Sequence, residues 1–156
     1  MNKARYINAE LRNATAQYRI DLSDWVQSVT EWDLFVTMTY RWSASPQSAA
    51  RCFERFMRQE MRGVSYFYVV EQNPDGGGYH VHGLWCDCGA QRTEIWKKWF
   101  IRYGINRIEP IESRLHVADY CAKHVTKETL HWNIRLLGNR HPLFGGSRCV
   151  NNRAQG

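Results

Sequence analysis

Apolar positions along this chain follow two periods. Runs rich in β-branched and aromatic residues predict strands over Asp33 to Tyr40 ("DLFVTMTY") and in "VSYFYVVE" at 64–71. The second run is apolar at nearly every position, which suits a strand buried on both faces. "QNPDGGG" is turn chemistry throughout, so "YHVHGLW" is expected to return as the second arm of a hairpin. A period near 3.6 then marks helices. Ala50, Phe53, Phe56, Met57 and Met61 share one face over Gln47 to Arg62, and Ile95, Trp96, Trp99 and Phe100 do so over Ala90 to Tyr103. Gly63 and Gly104 stop the two runs. "INRIEPIE" predicts a short edge strand ending near Pro110, and "LHWNIRLL" a last strand.

Two further segments carry helical signals. "DLSDWVQSV" predicts a short helix capped near Asp21 or Ser23, within an otherwise polar extension over residues 1–30. From His116 to Glu128 the chain is amphipathic, with Val117, Ala118, Cys121, Ala122 and Val125 on one arc. His116, Tyr120, Lys123, His124 and Lys127 fill the other, so a phenol is expected among bases on the polar side. Residues 138–156 are Gly- and Arg-rich and predict loop. Together the order of elements points to an α+β fold, a mainly antiparallel sheet of about five strands with flanking helices in a two-layer arrangement.

Composition narrows the partners. At 156 residues with 44% apolar content, the chain is expected to form one domain over 1–156. Lys and Arg outnumber Asp and Glu by 21 to 15, which favours a polyanion such as nucleic acid. Apolar runs fall short of the ~20 residues of a membrane helix, and no signal-like segment is evident. A soluble, cytoplasmic protein is expected. Cys52, Cys86, Cys88, Cys121 and Cys149 show no CxxC pairing and are expected to be reduced, acting as small hydrophobes.

The candidate chemistry begins with "HVH". Alternation along a strand points His80 and His82 to the same face, close enough either to share a metal ion or to remain hydrogen-bonded histidines. Glu71 ends the partner arm of the hairpin, as a solvated terminus or as a third ligand. Two imidazoles and a carboxylate suit Mn²⁺ or Mg²⁺, with Zn²⁺ as a substitute. Tyr120 is either a half-buried tyrosine or a nucleophile with Lys123 and His124 one turn on.

Three ordered segments resemble the HUH endonucleases of the rolling-circle replication initiator (Rep) type: "FVTMT" at Phe35 to Thr39, "HVH" at His80 to His82, and "VADYCAK" at Val117 to Lys123. The resemblance implies that His80, His82 and Glu71 hold a divalent metal, Mn²⁺ or Mg²⁺, that Tyr120 is the nucleophile, and that Lys123 assists at the phosphate. It also implies an HUH/RRM-like sheet and a single-tyrosine enzyme, since position 124 is histidine. Thr37, Thr39, Arg114, His124 and Lys127 are candidate DNA contacts.

On that resemblance, single-stranded DNA at a plasmid or virus replication origin, hairpin or not, is nicked and rejoined through a 5′-phosphotyrosine. Arg92, Lys97, Lys98, Arg102, Arg107 and Arg114 are candidates for the DNA backbone. Trp42, Trp96, Trp99 and Trp132 could stack on bases, although helical spacing puts most of them in the core. No GxxxxGK[ST] loop is present, so unwinding and extension would fall to a host helicase and polymerase. A Y1-type transposase of the same superfamily, a basic DNA-binding module without catalysis, and a hydrolase using water are the alternatives.

Overall fold

Every predicted strand forms, and the computed structural model joins them into one antiparallel sheet. It describes residues 16–18, 20–86, 89, 91–113, 117, 120 and 131–137. Residues 20–29 form α1, followed by β1 (Leu34–Met38), α2 (Pro46–Glu60), β2 (Ser65–Gln72), β3 (Tyr79–Cys86), α3 (Arg92–Arg102), β4 (Asn106–Pro110) and β5 (His131–Arg135). The expected bounds shift by one to two residues for local reasons. Ser45 caps α2 by accepting from the Ser48 amide at 3.2 Å, which lets Pro46 open the helix where its missing N–H costs nothing.

Strand order is β4-β1-β3-β2-β5. The "INRIEPIE" strand is at an edge, as its proline requires, and β3 is central. Each strand presents alternate residues to opposite faces. Val36, Met38, Tyr66, Tyr68, Val70, Val81 and Trp85 face α2 and α3, and pack with Phe53, Phe56, Ile95 and Trp99. Full burial of a large apolar side chain contributes about 1.5–3 kcal/mol before the cost of ordering the chain. β2 is buried on both faces as its composition predicts, because Phe67 and Val69 belong to a second cluster on the opposite side.

That second cluster contains Leu22, Val26 and Val29 of α1 together with Trp32, Leu84, Cys86, Val117 and Tyr120. The Trp32 indole N–H donates to the Val26 carbonyl at 2.7 Å, closing the end of α1 against the sheet. The two-layer unit of the sheet with α2 and α3 thus gains a further helical cover from α1. Cys52 and Cys86 both pack among apolar side chains, in keeping with their expected role.

The tryptophans depart from expectation. Trp99 is fully buried, but Trp42, Trp96 and Trp132 are 43%, 39% and 42% exposed. Helical spacing alone misassigns Trp96, because α3 turns only Ile95 and Trp99 fully inward. Arg114, Lys123, His124, Lys127, Cys88, Cys121, Cys149 and the 138–156 tail lie outside the described residues.

A candidate metal and nucleophile site on the open sheet face

The hairpin between β2 and β3 sets the register of the site. Asn73 N–H donates to the Gly78 carbonyl at 2.8 Å, and Gly76 N–H donates back to Asn73 O at 2.9 Å. Gly78 has φ +123°, and a Cβ there would stand 2.9 Å from Ser43 Cα. Only glycine combines this backbone with so close an approach. The resulting register opposes Glu71 to His80 and Val69 to His82, so the carboxylate and both imidazoles share one face.

On that face the three side chains converge. His80 and His82 Nε2 are 2.8 Å apart, His82 Nε2 is 3.2 Å from a Glu71 carboxylate oxygen, and one donor atom from each residue lies within 4.8 Å of the others. His80 is 8% exposed, and the His82 and Glu71 side chains are 13% and 19% exposed. The second ring nitrogen of each histidine is occupied elsewhere. His80 Nδ1 sits 2.7 Å from the Asn73 side-chain oxygen, and His82 Nδ1 sits 3.1 Å from the Thr37 hydroxyl. An amide oxygen accepts, so His80 carries its proton on Nδ1 and turns the Nε2 lone pair toward His82 and Glu71. Two imidazole nitrogens and a carboxylate, oriented by partners behind them, fit a divalent cation.

Thr37 therefore serves the histidine from the neighbouring strand β1, with which His82 is directly paired. Thr39 sits beyond β1, where its hydroxyl donates to the Ile105 carbonyl. Sequence reasoning misses Asn73, although its position in the hairpin turn, two residues past Glu71, is an available signal.

Tyr120 differs from its expected setting. It is 8% exposed and packs in the apolar cluster with Val117, one turn away on the same helical face. Its ring lies 5.0 Å from Phe35 and 6.1 Å from His82, centroid to centroid, nearly perpendicular to the imidazole at 77°. Phe35 and Thr37, two residues apart on β1, thus touch the tyrosine and the histidine respectively. By contrast, Tyr40, Tyr66, Tyr68, Tyr79 and Tyr103 pack with the α2 and α3 side of the sheet. Burial pushes the phenols of Tyr40, Tyr66, Tyr68 and Tyr103 above their ordinary range, and a hydrogen bond to Glu54 pushes Tyr68 further. These rings are structural and turned away from the histidines.

Among the described residues no helix is long and apolar enough to cross a membrane. A family model described as replication-associated protein ORF2 matches residues 33–129, well over half of the 156-residue chain. Comparison with curated proteins and with solved structures gives no match.

Proposed function

The chain belongs to the ORF2 family of replication-associated proteins, and from that premise we propose that it nicks and rejoins single-stranded DNA through Tyr120. The observation that carries this reading is the tyrosine ring 6.1 Å from His82, beside a Glu71, His80 and His82 donor set. A divalent cation bound there, Mn²⁺ or Mg²⁺, supplies Lewis-acid polarisation of the non-bridging phosphate oxygens.

The chain's own residues do the rest. His80 and His82, fixed from behind by Asn73 and Thr37, and Glu71 across the hairpin hold the donor atoms in one orientation. Phe35 restrains the Tyr120 ring, so the phenol oxygen approaches from a preset direction. That oxygen attacks phosphorus as the bond from phosphorus to the 3′ oxygen breaks. The phenol gives up its proton, the departing 3′ oxygen takes one up, and the 5′ phosphate remains esterified to Tyr120. Attack by a 3′-OH on this ester reverses the step and rejoins the strand. The free 3′-OH left by nicking is the end a polymerase extends to begin rolling-circle replication of a plasmid or virus genome. Lys123, three residues from Tyr120, is the candidate for neutralising phosphate charge.

The test is incubation with Mn²⁺ and a mixed pool of single-stranded oligonucleotides, scored for an SDS-resistant adduct. Wild type is expected to form it, and Tyr120→Phe is not. An adduct that persists in Tyr120→Phe removes Tyr120 as the nucleophile, and normal cutting by His82→Ala or in excess chelator removes the donor set. Cleavage without any covalent species would instead indicate a water nucleophile.

A further inference from the structure

The register of the sheet places five residues in one line across the site. Arg107 pairs with Thr37, Thr37 with His82, His82 with Val69, and Val69 with Trp132. Directly opposed residues in antiparallel strands share a face, so this row crosses all five strands on the side of the donor set. His82 is at its centre. With strands spaced about 4.8 Å apart, Arg107 and Trp132 stand about 10 Å away on either flank.

The neighbouring row, Phe35, Leu84, Phe67 and Ile134, is apolar and packs beneath α1 and Tyr120. The row of His82 is therefore the first one beyond that cover, and its two ends are open. The Arg107 side chain is 74% exposed and Trp132 is 42% exposed, its indole leaning on Phe67 at 6.0 Å between centroids. Arg107 also contacts Glu109 at 2.8 Å, an exposed pair that exchanges readily for a phosphate. The other exposed tryptophans belong elsewhere: Trp42 packs on Tyr40 and Tyr103, and Trp96 stacks on Phe100 of α3.

We propose that single-stranded DNA crosses the sheet along this row, with one base stacked on Trp132 and a phosphate on the opposite flank held by Arg107. The proposal rests on the single-strand substrate of the preceding reading. It adds a path perpendicular to the strands and a polarity of contacts, base on the β5 side and backbone on the β4 side. An aromatic face accepts any base, and a guanidinium accepts any phosphate, so this track grips the strand without reading its sequence.

Reversible binding tests it, separately from the chemistry. In a Tyr120→Phe background with Mn²⁺ present, fluorescence anisotropy would follow a labelled oligothymidine and an abasic oligomer of equal length. Trp132→Ala is expected to weaken oligothymidine binding by about 5- to 100-fold and leave the abasic oligomer unaffected, with Trp132→Phe keeping most of the affinity. Arg107→Ala is expected to weaken both oligomers and to lower the salt slope by about 0.7. Equal losses on both oligomers in Trp132→Ala, or unchanged binding, would overturn the stacking, and an unchanged slope in Arg107→Ala would overturn the phosphate contact. A wild-type adduct at Tyr120 with no dependence on Trp132 or Arg107 sinks the track alone. Dependence on both residues with no adduct sinks the chemistry alone.

Discussion

The Thr37 hydroxyl lies 3.1 Å from Nδ1 of His82, while Phe35, two residues earlier on β1, lies 5.0 Å from the ring of Tyr120. One strand thus supports both halves of the site. Thr37→Val removes the hydroxyl and keeps the volume, so Mn²⁺ affinity measured by calorimetry is expected to fall about 10- to 100-fold. Thr37→Ser should retain it.

Phe35→Ala leaves Tyr120 without its ring neighbour. The rate of adduct formation at saturating Mn²⁺ is expected to fall about 10- to 100-fold, because a displaced nucleophile loses its attack geometry. Mn²⁺ affinity should be unchanged, and chemical denaturation should show a loss of about 2–3 kcal/mol for a half-buried ring.

Metal binding should be visible as stability. At Mn²⁺ about 100-fold above its Kd, the folded state gains about 2.7 kcal/mol, a rise of several degrees in Tm by scanning calorimetry. Chelator is expected to abolish the rise, and His80→Ala to prevent it.

Gly78→Ala forces a side chain into φ +123° against Ser43 and Ala44. A loss of about 1–3 kcal/mol is expected in urea denaturation. Since the same hairpin sets Glu71 opposite His80, Mn²⁺ affinity should fall with it.

Glu60 joins α2 to α3, its carboxylate accepting from Lys98 at 3.0 Å and Arg102 at 2.7 Å. Those hydrogen bonds hold its pKa below the usual carboxylate range. The contribution is therefore complete at neutral pH and is lost as pH falls through the lowered value. Glu60→Gln is expected to lower Tm by a few degrees at pH 7, about 1 kcal/mol or less for each solvent-screened pair. The gap between the two proteins should close in acid.

Local sequence carries much of this design. Period-2 and period-3.6 patterns locate the strands and helices because burial of one face imposes those repeats. The glycine-rich turn and the spacing of His80 and His82 place both histidines on one face, with Glu71 on the returning arm, since a hairpin register depends only on neighbouring residues. What local sequence leaves open is which strand lies beside which. Insertion of β1 between β3 and β4 is a long-range choice, and it alone brings Thr37 to His82 and Phe35 to Tyr120. Helical arcs assign Tyr120 to a polar side, but the sheet supplies Phe35 as an apolar partner and buries it. Likewise the exposure of Trp132 and its alignment with His82 and Arg107 follow from β5 pairing at the far edge. Sequence by itself determined the elements and the donor pair; tertiary pairing decided their neighbours, because a strand's periodicity names its faces and not the strand it will bond.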